Sequence, residues 1–171
     1  PHLRANDIGP VIDAEAQAGL QAHISKLKGT GKLLAEVSLP AGLTGHFVAP
    51  IAFEIGAIGE LEKEHFGPIL HLVRFAASDL EVVVGAINAT GYGLTLGVHS
   101  RNEQTAQRIE QLARVGNLYV NRNQIGAVVG VQPFGGCGLS GTGPKAGGPS
   151  YLLRFANERT TSVNTTAVGG N

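Results

Sequence analysis

Leu94-Thr95-Leu96-Gly97-Val98-His99 runs directly into Ser100-Arg101-Asn102-Glu103, and Asn117-Leu118-Tyr119-Val120-Asn121 follows after a short amphipathic stretch. The first run has the apolar character of a strand. Ser100 and Glu103 stand at capping-box spacing ahead of Ala106, Ile109 and Leu112, which recur at helical intervals. The third run is again strand-like. Strand, helix, strand in this order predicts an α/β layered fold with a largely parallel sheet.

Working toward the N-terminus, Ser78-Asp79-Leu80-Glu81 forms a second capping-box pattern before Val82, Val83, Val84 and Ile87. Runs bounded by Pro and Gly predict strands within Leu33 to Val37, Phe47 to Ile55 and Ile69 to Phe75. From Asp13, the residues Ala16, Leu20, Ile24 and Leu27 share one helical face, with Lys26 and Lys28 in the last turn and Gly29 after them. That pattern predicts a capped surface helix. Toward the C-terminus, periodicity dissolves after Asn121, returns briefly at Tyr151 to Phe155, and ends in β-prone Thr160 to Thr166, a terminal strand that needs a partner. There is no internal repeat.

A length of 171 residues suggests one compact unit. Thirteen Lys and Arg balance thirteen Asp and Glu, so no cationic excess favours nucleic acid or an acidic membrane. The longest uncharged apolar stretch, Ile125 to Val131, is far short of the roughly 20 residues that span a bilayer, and Pro1-His2-Leu3-Arg4 lacks a signal-peptide core. The single cysteine cannot close an internal disulfide, which fits a cytoplasmic setting. The chain contains no Met and starts at Pro, which suggests a piece of a longer polypeptide. Ten of its 25 glycines fall between Gly116 and Gly148, where the functional loops are expected.

Gly136-Cys137-Gly138-Leu139-Ser140-Gly141 matches the dinucleotide fingerprint by spacing. That fingerprint requires a strand before it and a helix after it, whereas Pro133 precedes and Thr142-Gly143-Pro144 follows. Gly31-Lys32 fails as a phosphate loop, since Lys26 and Leu33 occupy the places of the first glycine and of the Ser or Thr. Cys137 lies between glycines that offer no base to lower its pKa, so a structural or incidental thiol is expected rather than a nucleophile. His2, His23, His46, His65, His71 and His99 show no paired metal-ligand spacing, and no metal site is expected.

Glu64-His65-Phe66-Gly67-Pro68, taken alone, is a surface carboxylate, a core ring and a turn ahead of a strand. Its company changes its meaning. It is followed in order by Asn88-Ala89-Thr90-Gly91-Tyr92-Gly93-Leu94, Gly116-Asn117-Leu118-Tyr119-Val120-Asn121 and Pro133-Phe134-Gly135-Gly136. This series resembles the aldehyde dehydrogenase superfamily in order and spacing, from Gly9-Pro10-Val11-Ile12 to the end. The stretch Asn121 to Gly136 is similar to the glutamate-semialdehyde branch, and Gly138, where general members carry Lys, is a departure that fits this branch. Gly138 to Pro149 and the tail from Ser162 to Asn171 resemble the form found in bifunctional bacterial proline-utilisation proteins.

The resemblance implies that Glu64 grips the nicotinamide ribose of NAD, with Phe66 packed beside it. It implies that backbone N–H groups at Gly126 and Ala127 hold the α-carboxylate of glutamate γ-semialdehyde, with Phe134 over the methylenes. It places the family's nucleophilic Cys, general-base Glu and oxyanion-stabilising Asn before Pro1, so no catalytic residue is expected in this chain. Residues 1–157 are then the C-terminal part of a catalytic domain, and residues 158–171 an oligomerisation strand and tail that join subunits of a homo-oligomer. Two other classes fit parts of the pattern. One is a non-catalytic assembly module, and the other a nucleotide-binding module using the Gly-rich loop, which would need a helix directly after Gly141.

Overall fold

The computed structural model describes residues 7–141 and 143–168. Thr142 of the Gly-rich stretch, the first six residues and the end of the tail, Gly169 to Asn171, lie outside them. Where length suggested one compact unit, the chain divides into two, the first ending at Thr90 and the second beginning at Gly91.

The first unit opens with helix α1 (Ala14–Thr30), whose N-cap Asp13 accepts a hydrogen bond from the Ala16 N–H at 2.8 Å. Gly29 lies inside this helix; Gly31 ends it, donating its N–H to the Leu27 carbonyl. Strands β1 (Lys32–Glu36), β2 (Ile51–Glu54) and β3 (Ile69–Leu72) follow in spatial order β1-β2-β3. Strand β2 is antiparallel to β1 and parallel to β3. A parallel neighbour needs a connection of roughly a dozen residues or more, which the stretch 55–68 supplies. Leu27 of α1 packs on Ile51, Phe53 and Ile55 of the central strand and its end, with Ile24, Ile69 and Val73 at the rim. Phe53 is fully buried, and removing such a ring costs about 3–5 kcal/mol.

Helix α2 (Leu80–Ala89) closes the first unit with Asp79, not Ser78, at its N-cap, and the Asp79 side chain makes no cap bond. The Ser78 hydroxyl turns to the Asp79 carboxylate at 2.9 Å, and a short 3-10 turn, Ala77–Asp79, leads in instead.

In the second unit, strand β4 (Tyr92–Gly93) precedes β5 (Thr95–Val98), helix α3 (Glu103–Leu112) and β6 (Asn117–Val120). Strands β5 and β6 pair in parallel, joined by the α3 crossover that the sequence predicts. The cap of α3 is Asn102 rather than Ser100: the Asn102 side chain accepts from Gln104 and Thr105, while the Ser100 hydroxyl bonds the backbone of Asn102. Asn121 has φ 54, a left-handed position that Asn tolerates, and exchanges two 2.9 Å hydrogen bonds with the Ser100 backbone. Strand β7 (Cys137–Gly138) pairs antiparallel with β4.

Of the four strand pairings among the described residues, two are parallel and two antiparallel, in three small sheets. The fold is mixed α/β, and the single largely parallel sheet expected from the alternation is corrected accordingly. Thr160 to Thr166 forms no strand in this lone chain; the segment is irregular up to a 3-10 turn, Thr165–Val168. No helix among the described residues is long and apolar enough to cross a membrane.

Candidate functional site

Glu64 and Phe66 belong to the first unit, and Gly126, Ala127 and Phe134 to the second. Each group is built from its own surroundings.

In the first unit the loop before β3 is anchored at both ends. Glu62 meets Lys26 of α1 at 2.9 Å, a hydrogen bond that holds this exposed carboxyl below its ordinary pKa. At the other end the Pro68 carbonyl accepts from Ile51 at 3.0 Å, and Gly67 sits so close to α1 that an added Cβ would lie 2.5 Å from buried Leu20. A side chain there would force Leu20 to shift. Between these anchors Glu64 is exposed and makes no hydrogen bond or ion pair among the described residues. Phe66, expected from its type to be a core ring, is 80% exposed. A carboxylate with both oxygens unspent, beside an uncovered ring on a docked loop, is chemically suited to accept two hydrogen bonds from a diol and to pack against a flat polar group.

His23 of α1, His65 of the loop and His71 of β3 come together behind this presentation. The His23 and His65 rings stack with centroids 3.6 Å apart, and Nε2 of His23 lies 2.9 Å from Nε2 of His71. Local spacing could not have found this cluster, because it draws one residue from each of three elements.

In the second unit, buried Tyr119 on β6 donates its hydroxyl to the Gly126 carbonyl at 2.7 Å, while Arg122 lies over its ring at 4.8 Å. The loop 121–127 is thereby tied to the strand. Gly126 has φ 105, a conformation open to glycine, and nothing stands within 4 Å of where its Cβ would be. The N–H groups of Gly126 and Ala127 donate to nothing among the described residues. Two adjacent unspent donors at a partly buried turn are suited to an anion.

Asn117, two residues before Tyr119 on the same strand face, positions the other half. Its side chain donates to the Pro133 carbonyl at 3.0 Å and accepts from the Gly135 N–H at 3.3 Å, bracketing Phe134. Phe134 exchanges backbone hydrogen bonds with Ala146, and Lys145 reaches the Gly116 carbonyl. Gly116 packs against Gly135 with no room for a side chain. Asn117 and Tyr119 were not singled out from sequence, although their alternation along a strand was visible. A cavity of about 690 Å³ opens beside them, lined in part by Arg122, Gln132, Pro133 and Lys145, but neither Gly126, Ala127 nor Phe134 lines it.

Cys137 is exposed, and its Sγ faces the carbonyls of Arg114 at 3.5 Å and Gly93 at 3.7 Å. Both are acceptors, so neither activates a thiol as a base would. No α-helix follows Gly141 among the described residues, the next helical segment being the 3-10 turn Tyr151–Phe155. The Gly-rich stretch therefore lacks the helix N-terminus of a dinucleotide fingerprint.

The model of the aldehyde dehydrogenase family matches residues 1–161. The chain belongs to the aldehyde dehydrogenase family. Its relatives include the "Bifunctional protein PutA" of Escherichia coli, 52% identical over 95% of this chain and 13% of that protein. The "1-pyrroline-5-carboxylate dehydrogenase 1" of Halalkalibacterium halodurans is 38% identical over 95% of the chain and 31% of its own length. Among solved structures, a mutant Bradyrhizobium japonicum Proline Utilization A (PutA) superposes with TM-score 0.86 at 57% identity, covering 96% of this chain and 17% of that one. This chain thus spans only a minor part of the relatives it matches.

Proposed function

We propose that this chain is the C-terminal part, residues 1–157 with a tail 158–171, of an NAD-dependent dehydrogenase that oxidises glutamate γ-semialdehyde to glutamate in proline catabolism. Supporting this are the relatives named for proline utilisation and for 1-pyrroline-5-carboxylate dehydrogenase. The observation that carries the role of this segment is the loop 62–68, docked at both ends with the Glu64 carboxylate and Phe66 ring left unpartnered. Two carboxylate oxygens are the right acceptors for the paired hydroxyls of a nicotinamide ribose, and the exposed ring offers it a flat wall. When bound, NAD supplies the acceptor for the hydride lost by the substrate. Glu64 fixes where that acceptor lies.

In the second unit, the unspent N–H groups at Gly126 and Ala127 receive the substrate's α-carboxylate, and Phe134, bracketed by Asn117, covers the methylenes. The nucleophile and base are assigned to the polypeptide before this chain, and Cys137 is not promoted to replace them. A non-catalytic assembly module would have no use for an unpartnered Glu64 and a donor pair held at a glycine-only turn. Glu64→Gln in the intact enzyme keeps the shape but exchanges a charge-assisted acceptor for a neutral one, so KM for NAD should rise on the order of tenfold without a change in thermal stability. Unchanged steady-state kinetics in NAD would remove Glu64 from the site.

The β-prone segment Thr160 to Thr166 is assigned to pairing with a strand of a second subunit, since its backbone groups lack strand partners in the lone chain. Deleting residues from Glu158 onward should shrink the assembly seen by light scattering. An unchanged assembly size would contradict that assignment.

A further inference from the structure

We infer that His23, His65 and His71 form a positioning device for the loop that carries Glu64, and that accumulation of positive charge on the cluster releases this loop and weakens NAD binding in acid. The inference deepens the proposed role of Glu64 and rests on it for its consequence, though not for the motion of the loop itself.

The geometry makes the cluster sensitive to charge. With the rings neutral, one of the two Nε2 atoms of His23 and His71 donates and the other accepts across 2.9 Å. Protonating both puts two donors face to face. Protonating His23 and His65 together sets two cations in a stack with centroids 3.6 Å apart. The charged groups that face the cluster are mostly of the same sign: Lys26 from α1 and Lys63 from the loop, with Glu62 opposing and already paired to Lys26. His23 itself is buried. The stack is the contact between the loop and α1 that is next to Glu64 in sequence; the Lys26–Glu62 pair and the seat of Gly67 on Leu20 also hold the loop to this helix.

Burial, reinforced by His65, His71, Lys26 and Lys63, pushes the His23 pKa from 6.5 down to about 4. Burial also lowers His65 and His71, with Lys63 and His65 respectively as the next cause. Because these folded values lie below the unfolded ones, the stabilisation they accompany is whole above pH 6.5 and is lost as pH falls toward about 4. The rings do not converge on a metal: among the described residues no group of three or more His, Cys, Asp or Glu side chains could hold one.

The test uses the intact enzyme, with NAD affinity measured by calorimetry and opening of the loop by hydrogen exchange at residues 64–67, corrected for intrinsic exchange rates. Between about pH 7.5 and about pH 5.5 the wild type should lose up to roughly tenfold in NAD affinity, with a parallel loss of loop protection. His65→Phe keeps a stacking ring without the charge, so it should hold neutral-pH affinity and flatten both profiles. His65→Ala should weaken protection at every pH. Protection that does not change with pH, or that changes equally in His65→Phe, overturns the device. Loop release without loss of NAD affinity sustains the device and overturns the ribose role of Glu64.

Discussion

Gly126→Val in the intact enzyme is expected to lower kcat/KM for glutamate γ-semialdehyde by about 10- to 150-fold more than for an uncharged aldehyde of similar length. The magnitude comes from hydrogen bonds to a charged group, worth about 1.5–3 kcal/mol each way they are lost. The position is chosen by backbone geometry: φ is 105 at Gly126, where a β-branched residue is strained, although the space around it is open. Valine would therefore reorient the peptide that carries the Ala127 N–H as well as its own. Tyr119 holds the Gly126 carbonyl, so the distortion cannot be relieved without disturbing that bond. A carboxylate-bearing substrate loses its anchor, while an aldehyde without that group loses only general fit. Equal losses for both substrates, measured by steady-state kinetics, would show that the loop shapes the site generally and is not a carboxylate anchor.

What the sequence revealed and what it hid divide along physical lines. The β5-α3-β6 unit was legible because its strands are apolar runs and its helix has a regular face. The caps were legible as patterns but not as bonds. Asp13 caps α1, whereas the Ser78 hydroxyl goes to Asp79 and the Ser100 hydroxyl to the backbone of Asn102. Strands β4 and β7 are two residues each, too short for any periodicity to register. The antiparallel edge β1 depends on an irregular return between Val37 and Pro50, which alternation of strands and helices does not predict.

The candidate site shows the same division. Glu64, Phe66, Gly126, Ala127 and Phe134 were reached through the motifs that resemble the family, since a lone acidic residue before a turn carries little information. Their supports were hidden. Asn117 and Tyr119 stand in the motif Gly116 to Asn121 without a role of their own, because their bonds to Pro133, Gly135 and Gly126 are made with residues of the irregular stretch that follows the strand. His23, His65 and His71 are brought together only by packing of α1 against the loop and β3.

The most direct test of the central claim, that this chain contributes binding groups to a dehydrogenase whose nucleophile and base lie elsewhere, is NADH formation from glutamate γ-semialdehyde. The isolated 171-residue chain is expected to form none. The intact polypeptide is expected to form it, and to keep its turnover in Cys137→Ser, because this thiol faces two backbone carbonyls and no base. The outcome is therefore a comparison among three samples under one assay. Turnover by the isolated chain that Cys137→Ser abolishes would make Cys137 the nucleophile and contradict the account. Failure of the intact polypeptide to form NADH would contradict it equally.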